Sequence, residues 1–137
     1  MGHDATLKGV RECSVARTLD MVGEKWSLLA LRELFLGSHR FSDIVEHTGA
    51  PRDILTTRLR RLEYEGLIER HQYCQRPARF EYHLTSLGLS LRPVLTTLRQ
   101  WGDDHLAGDE APPLILQHSC GHDLAVEVTC THCGRPA

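Results

Sequence analysis

Long apolar runs are absent from this 137-residue sequence, whose longest uncharged apolar stretch falls far short of the ~20 residues that cross a bilayer. The first ten residues also lack the apolar core and the small-residue cleavage pattern of a secretory leader. Lysine is scarce, since all but two of the 16 basic residues are arginines. We therefore expect a cytoplasmic protein without a membrane partner, whose cations are guanidinium groups suited to bidentate contacts.

A strong basic charge is likewise missing, because the formal net charge is −2. This balance argues against a non-specific binder of nucleic acid. Residues 1–102 contain every basic residue except Arg135, but only twelve of the eighteen acidic residues. The first part of the chain is therefore mildly basic and the rest is acidic, which allows a local cationic surface in residues 1–102.

Three helical segments open the chain. Residues 14–22 carry apolar residues at helical spacing, and the Leu-rich residues 26–36 predict a buried helix that ends at Gly37. A short helix begins near Ser42 and ends at Gly49. The turn after it leads into another helix, an arrangement typical of a helix-turn-helix.

The next segment, residues 52–65, has the two faces that a DNA-reading helix needs. Leu55, Leu59 and Leu62 repeat at helical spacing and form an apolar stripe that would anchor the helix in the body. The polar side of this helix holds Asp53, Thr57, Arg60 and Arg61, flanked by Thr56 and Arg58. Such a polar and basic side fits the major groove of DNA, although exposed arginines are usually only a solvated face.

A hairpin with a basic tip follows this helix. A strand begins in residues 67–70, and residues 80–84 alternate like a second strand. The polar loop over residues 73–79 carries Arg76 and Arg79, which could contact the DNA backbone or the adjacent minor groove. We interpret this hairpin as a wing.

A long helix over residues 87–106 completes the first region, with Thr85 as its N-cap. Pro93 falls inside it, so we expect a kink or a helix start near that residue. The domains expected from these patterns are an N-terminal arm (1–12), a DNA-binding and dimerisation domain (13–106), a linker (107–113) and a Cys/His-rich tail (114–137).

The order of these elements predicts a mainly α, α+β fold, a winged helix-turn-helix with a small Cys/His-rich hairpin appendage. The function it favours is sequence-specific binding of double-stranded DNA. A winged-helix module whose basic face contacts an acidic protein is the alternative from another class. Asp53 repels phosphate, although it could accept a hydrogen bond from a cytosine amino group or stabilise the helix N-terminus.

Several separate motifs resemble the HxlR-type regulators, in the same order and across about residues 12–102. They are residues 13–26, 31–35, 40–44, 55–63, 66–70 and 82–88. The resemblance implies a homodimeric winged-helix repressor or activator that binds pseudo-palindromic DNA. It also implies that the N-terminal helix and the long helix after the wing form the dimer. MarR-like ligand sensors and ArsR-like metal sensors share this architecture, but the order of motifs favours HxlR.

The resemblance also assigns DNA contacts by position. The matching residues are Arg52, Thr56, Thr57, Arg58 and Arg60 in the helix, and Arg76 and Arg79 in the wing. Pro51 and Asp53 depart from the serine and the basic or polar residue expected there, so the operator sequence stays open.

Cys13 occupies the position at which HxlR-type proteins often keep a cysteine that in some members senses oxidants or electrophiles such as quinones. Arg11 and Arg17 are close in sequence, and a helix N-terminus lowers a thiol pKa. The alternative is a small residue that starts a helix and packs on the dimer partner. Cys74 in the hairpin is a weaker second candidate.

The tail contains two Cys/His clusters that predict a structural zinc site in a zinc-ribbon-like module. Cys120, Cys130 and Cys133 would supply three ligands, and either His118 or His122 the fourth. A hairpin over the seven residues between the clusters could bring them together. The alternatives are reduced thiols or a Cys130–Cys133 disulfide. Four protein ligands leave no open metal position and no general base is apparent, so we expect no enzyme activity.

Overall fold

The computed structural model describes residues 9–137, so the first eight residues of the expected N-terminal arm lie outside the described part. The described chain forms two compact units, one that extends through Leu89 and one that begins at Ser90. Its elements are α1 (Ser14–Val22), α2 (Lys25–Leu36), α3 (Phe41–Thr48), α4 (Arg52–Tyr64), β1 (Ile68–Gln75), β2 (Ala78–Leu84), α5 (Ser86–Leu89) and α6 (Arg92–Leu106). This order confirms the predicted α+β winged helix-turn-helix.

The core of the first unit lies between α2, α3, α4 and the start of β1. Its large, fully buried side chains are Leu31, Ile44, Leu55, Leu59, Leu62, Leu67 and Ile68. The three α4 leucines are at most 1% exposed, which confirms the predicted stripe. Each buried leucine contributes about 1.5–3 kcal/mol, so this stripe fixes which side of α4 faces outward.

The ends of the first helices follow from particular residues. Gly37 and Gly49 end α2 and α3 in the left-handed conformation, with φ of 97° and 74°, as their sequence positions predicted. At the start of α2, the carboxylate of Glu24 accepts hydrogen bonds from Trp26 N and Ser27 N at 2.8 and 3.1 Å. Glu24 is therefore the N-cap of α2.

The hairpin is longer than the sequence predicted. We expected a loop over residues 73–79, but β1 and β2 pair as far as Gln75 and Ala78, and only Arg76 and Pro77 form the turn. The register shifts between Gln72 and Cys74. The prediction was wrong because these polar residues carry no apolar alternation, whereas antiparallel pairing needs only their backbone groups.

The base of the hairpin is joined to the loop between α2 and α3. Arg40 forms an isolated antiparallel bridge with Glu81, and Tyr82 N donates a hydrogen bond to His39 O at 2.8 Å. One edge of β2 is therefore partly covered by the helix-turn-helix body.

The single helix expected over residues 87–106 is two helices, α5 and α6, with a break between Leu89 and Arg92. Thr85 caps α5, since its Oγ1 accepts a hydrogen bond from Gly88 N at 3.1 Å. Pro93 occupies the first turn of α6, where its missing N–H costs no helical hydrogen bond. The expectation of a helix start near Pro93 is thus confirmed.

The second unit contains α6 and the tail. Gln117 bridges Asp123, and Thr129 bridges Pro136, so each Cys/His cluster lies in its own small closed loop. The hairpin that we expected over residues 123–129 is not formed in this described segment. The tail is tied to α6 because Val126 N donates to Gln100 Oε1 at 3.1 Å. Within residues 9–137 no helix combines the length and apolarity needed to cross a membrane.

Candidate nucleic-acid interface

The outward side of α4 presents polar and basic groups. Thr57, Arg60 and Arg61 are exposed, as is Arg52 in the first turn. Thr56 and Arg58, on the flanks, are partly exposed. The side chains predicted to read DNA therefore share one helix, whose opposite stripe is locked in the core.

The two threonines of α4 have fixed hydroxyl groups. Thr56 Oγ1 donates to Arg52 O at 2.9 Å, and Thr57 Oγ1 donates to Asp53 O at 3.1 Å. These bonds use the hydroxyl proton and leave the oxygen lone pairs and the methyl group for other contacts. Such groups suit base amino groups and the thymine methyl group.

The four arginines of α4 differ in their surroundings. Arg58 Nε lies 3.1 Å from Glu24 Oε2, in an ion pair that is not a well-aligned hydrogen bond. Arg61 Nε lies 2.7 Å from Glu65 Oε1. Arg52 lies over the Phe41 ring, 5.7 Å from its centroid. Arg58 and Arg61 thus have carboxylate partners within the chain, a role that sequence reasoning missed.

The N-terminus of α4 follows Pro51, which has no side chain able to cap it. Asp53 lies in the first turn, where a negative charge stabilises the helix dipole. The basic tip of the hairpin is formed by Arg76 in the turn and Arg79 opposite Cys74 in β1, and both arginines are exposed. These placements agree with the roles that the sequence predicted, which remain predictions.

A groove between α4 and the hairpin was not predicted from the sequence. It has a volume of about 370 Å³. Its lining residues are Thr56, Leu59, Arg60, Glu63, Arg70 and Tyr82. Strand alternation places residues 70 and 82 on one face, but their approach to α4 depends on the tertiary fold.

The groups around this groove are partly ordered by one another. Arg70 Nε lies 3.1 Å from Glu63 Oε2, and the guanidinium lies over the Phe80 ring, 4.8 Å from its centroid. Burial raises the pKa of Tyr82, and the negative charge of Glu63 adds to this increase. The positive charges of Arg70 and Arg60 act in the opposite direction, but the net shift is upward. Tyr82 is therefore a neutral hydrogen-bond donor at neutral pH.

Cys13 is exposed and is the N-cap of α1. Its Sγ accepts a hydrogen bond from Ala16 N at 3.4 Å. Arg17, one of the cations expected beside it, lies 3.6 Å from Glu12. Cys13 is therefore an exposed thiol at a helix N-terminus. Cys74 is partly buried, and its thiol donates to Arg76 O at 3.7 Å.

The structure brings together two of the five candidate zinc ligands, Cys130 and Cys133. Backbone N–H groups of Cys133 and His132, and then the Cys133 side chain, lower the pKa of the exposed Cys130 thiol. All five cysteines are free thiols. Within the described chain, no three His, Cys, Asp or Glu side chains are arranged to hold a metal ion. Cys120, His118 and His122 are therefore not gathered around the Cys130–Cys133 pair.

Comparison with known proteins places these features in a family. The HxlR-like helix-turn-helix model matches residues 21–110. The uncharacterized HTH-type transcriptional regulator Rv3095 of Mycobacterium tuberculosis is 45% identical over 122 residues, which are 88% of this chain and 77% of Rv3095. This relative is named a transcriptional regulator, in agreement with the expectation of a regulator and not an enzyme.

Two solved structures extend the likeness to the fold. The crystal structure of PA1607, a candidate transcription factor, is 32% identical with a TM-score of 0.79, over 97% of this chain and 89% of PA1607. The oxidized form of the redox regulator HypR is 33% identical with a TM-score of 0.64, over 68% of this chain and 97% of HypR. This chain, with its buried α4 stripe and its basic wing, belongs to the HxlR-like helix-turn-helix family of transcriptional regulators.

Proposed function

We propose that this regulator works as a cytoplasmic homodimer that binds a pseudo-palindromic DNA operator. The observation that carries the proposal is the two-sided character of α4. Leu55, Leu59 and Leu62 are buried, while Arg52, Thr57 and Arg60 are exposed next to a hairpin with a basic tip. The exposed side would enter the major groove, and Arg76 and Arg79 would contact the flanking backbone or minor groove.

The test is binding to a duplex from the chain's own upstream region, measured by fluorescence anisotropy between about 50 and about 200 mM salt. We expect Arg60→Ala to weaken operator binding by about 1–3 kcal/mol if it contacts a base. Arg76→Ala would instead reduce the salt slope by about 0.9 for a lost phosphate contact. Arg135→Ala, an equal charge change in the tail, is the matched control. The proposal would be contradicted if both Arg60→Ala and Arg76→Ala bound the operator as tightly as the unmodified protein.

Two exposed apolar helix faces, one on α1 and one on α6, support the proposed dimer. Val15 and Leu19 of α1 are 67% and 57% exposed, and α6 exposes Leu98 and Trp101 at 52% and 59%. Faces of this kind on a transcription regulator are suited to a second copy of the chain. A two-fold dimer would place two α4 helices about 34 Å apart, on half-sites one helical turn apart.

Sedimentation velocity of the full chain tests this assembly. We expect Trp101→Glu to convert the dimer to a monomer and to weaken operator binding, because it places a charge in the apolar face. Val128→Glu, at a tail valine that is also 59% exposed, is the matched control. A Trp101→Glu protein that remains dimeric would refute this interface.

We also propose that Cys13 senses electrophiles. Its exposed Sγ at the start of α1 supports this, and the similar protein HypR is named a redox regulator. In the simplest step the thiolate attacks a quinone ring carbon, a C–S bond forms, and the ring takes up a proton to give a hydroquinone thioether. No further oxidant is required.

The expected result is that a quinone releases operator DNA from the unmodified protein but not from the Cys13→Ser protein. Cys74→Ser is the control and should still respond. Mass spectrometry should locate the adduct on the peptide that contains Cys13. Release from the Cys13→Ser protein that equals release from the unmodified protein would refute this role.

Zinc binding by the tail is proposed on narrower support, namely the contact between Cys130 and Cys133. A closed site would further require Cys120 and one of the two histidines, His118 or His122, which the described geometry does not gather there. Elemental analysis of protein purified without a chelator should give one zinc per chain, and Cys133→Ser should abolish it. Metal-free protein with a folded tail would refute the proposal.

A further inference from the structure

The groove between α4 and the hairpin is walled by two regular elements. Thr56, Leu59, Arg60 and Glu63 are spaced three and four residues apart, so they form one stripe along α4. On the other wall, Arg70 and Tyr82 are directly paired in the β1–β2 register and therefore lie on the same face of the hairpin. The buried Leu59 contributes an apolar surface between these polar walls.

The charges that line this groove favour an anion. Its described lining includes two arginines, Arg60 and Arg70, and one acidic residue, Glu63. Glu63 contacts Nε of Arg70 at 3.1 Å, which leaves both Nη groups of that arginine as donors. The Phe80 ring supports the same guanidinium. Arg70 is thus held in position before any ligand arrives.

Tyr82 adds a neutral donor to these cations. A tyrosine hydroxyl has an ordinary pKa of about 10 and burial raises that of Tyr82 further, so this hydroxyl is protonated at neutral pH and can donate to an anionic oxygen. Two arginines and a phenol together match a phosphodiester group, whose two free oxygens accept several hydrogen bonds. A volume of about 370 Å³ has room for a phosphate with part of its sugar.

We propose that this groove holds one phosphodiester of the bound DNA strand, with Arg70 and Tyr82 as donors beside Arg60. The inference rests on the proposed function, because Thr56 and Arg60 belong both to the groove and to the polar side of α4. A strand that runs along that side passes from α4 to the wing across the groove. Arg70 and Tyr82 then add affinity without sequence preference, since a phosphate carries no base identity.

Tyr82→Phe is the sharpest variant, because it removes only the hydroxyl and keeps the ring. We expect roughly tenfold weaker binding, the effect of losing a hydrogen bond to a charged group. The loss should be equal on the operator and on an unrelated duplex, so the ratio of the two affinities stays unchanged. Arg70→Gln should lower the salt slope by about 0.9. Tyr64→Phe and Arg135→Gln are the controls, because Tyr64 is 86% exposed and Arg135, in the tail, is not among the residues proposed to bind DNA.

A neutral methylphosphonate, placed at one operator position at a time, identifies the phosphate. At the contacted position, the methylphosphonate should weaken operator binding by the unmodified protein. It should also abolish the difference in operator affinity between that protein and Tyr82→Phe. Thermal melting shows whether each variant is folded, and a folded Tyr82→Phe protein is sufficient for the test.

Three results would overturn the inference. In the first, Tyr82→Phe and Arg70→Gln bind both duplexes normally while Arg60→Ala binds the operator weakly. The proposed DNA binding by α4 would then be supported, but the groove would not contribute to it. In the second, Tyr82→Phe weakens operator binding but not binding to the unrelated duplex, as a base contact would. In the third, no methylphosphonate position removes the effect of Tyr82→Phe. If Arg60→Ala and the wing variants also bind normally, the proposed function itself fails.

Discussion

Replacing Glu24 by alanine should destabilise the fold, because one carboxylate oxygen both caps a helix and forms an ion pair. Oε2 of Glu24 accepts hydrogen bonds from Trp26 N and Ser27 N, and it lies 3.1 Å from Arg58 Nε. Loss of an N-cap costs about 1 kcal/mol. The ion pair adds about 0.5 kcal/mol after screening, because both side chains are more than a third exposed. We therefore expect Glu24→Ala to lower the free energy of unfolding by about 1.5 kcal/mol.

Urea denaturation followed by circular dichroism, at one fixed protein concentration, measures this loss. At an m value of roughly 1.5 kcal/mol per M, the midpoint should fall by about 1 M with m unchanged. Glu24→Gln should lose only the ion pair, about 0.5 kcal/mol, because its amide oxygen can still accept from the helix amides. A double-mutant cycle with Arg58→Gln should return a coupling energy of about 0.5 kcal/mol.

Two outcomes would refute this reasoning. If Glu24→Ala costs less than about 0.5 kcal/mol, the carboxylate does not cap α2. If Arg58→Gln alone costs as much as Glu24→Ala, the ion pair and not the cap provides most of the stabilisation. The same variants bear on recognition, because Arg58→Gln should affect stability more than operator affinity, in contrast to Arg60→Ala.

Three further predictions concern single positions. Because the pKa of Tyr82 is raised in the folded protein, its contribution to stability is present below the ordinary pKa of about 10 and is lost as pH rises through the folded-state pKa. A pH titration followed by tyrosinate absorbance should show one tyrosine that ionises at higher pH than the others, and Tyr82→Phe should remove that step. Gly88→Ala should destabilise the protein by about 1–3 kcal/mol, since the added Cβ would clash with the backbone oxygen of Leu67. Gly102→Ala is the control, because a Cβ there would meet no atom within 4 Å apart from its chain neighbours and its own helix backbone; it should be neutral or stabilising, and thermal melts distinguish the two variants. Leu59→Ala should cost about 2–5 kcal/mol in urea because its side chain is 1% exposed, and a loss below about 1 kcal/mol would contradict its place in the core.

Local patterns were sufficient for much of the helical part of the fold. The apolar spacing in residues 14–22 predicted the bounds of α1, and Gly37 and Gly49 predicted two helix ends. The α4 stripe was visible because three leucines at helical spacing are typical of one buried helix face. In each case the determining interactions lie within a few turns of the chain.

The features that were missed depend on residues far apart in sequence. Arg58 was assigned to DNA from its helix position, but its partner Glu24 lies at the start of another helix, and only the tertiary fold brings the two together. Arg70 and Tyr82 line the groove because the hairpin packs beside α4. The extent of the hairpin was underestimated for a similar reason, since its outer residues pair through backbone groups that leave no pattern in the side chains.

The bridge between Arg40 and Glu81 divides the hairpin into two parts with different opening free energies. Near the bridge, the amide of Tyr82 is bonded to His39 O, so hydrogen exchange there requires the body to separate from the sheet. Beyond Tyr73, whose ring lies 4.5 Å from the Arg40 guanidinium, the described strands toward the turn at Arg76 and Pro77 are paired with each other, and a two-stranded ribbon is marginally stable in water. Amides at the tip should therefore exchange fastest. In the proposed complex, local unfolding of the tip would let Arg76 and Arg79 adjust to grooves of different width, while the hairpin base stays in register with α4, the helix proposed to read the sequence.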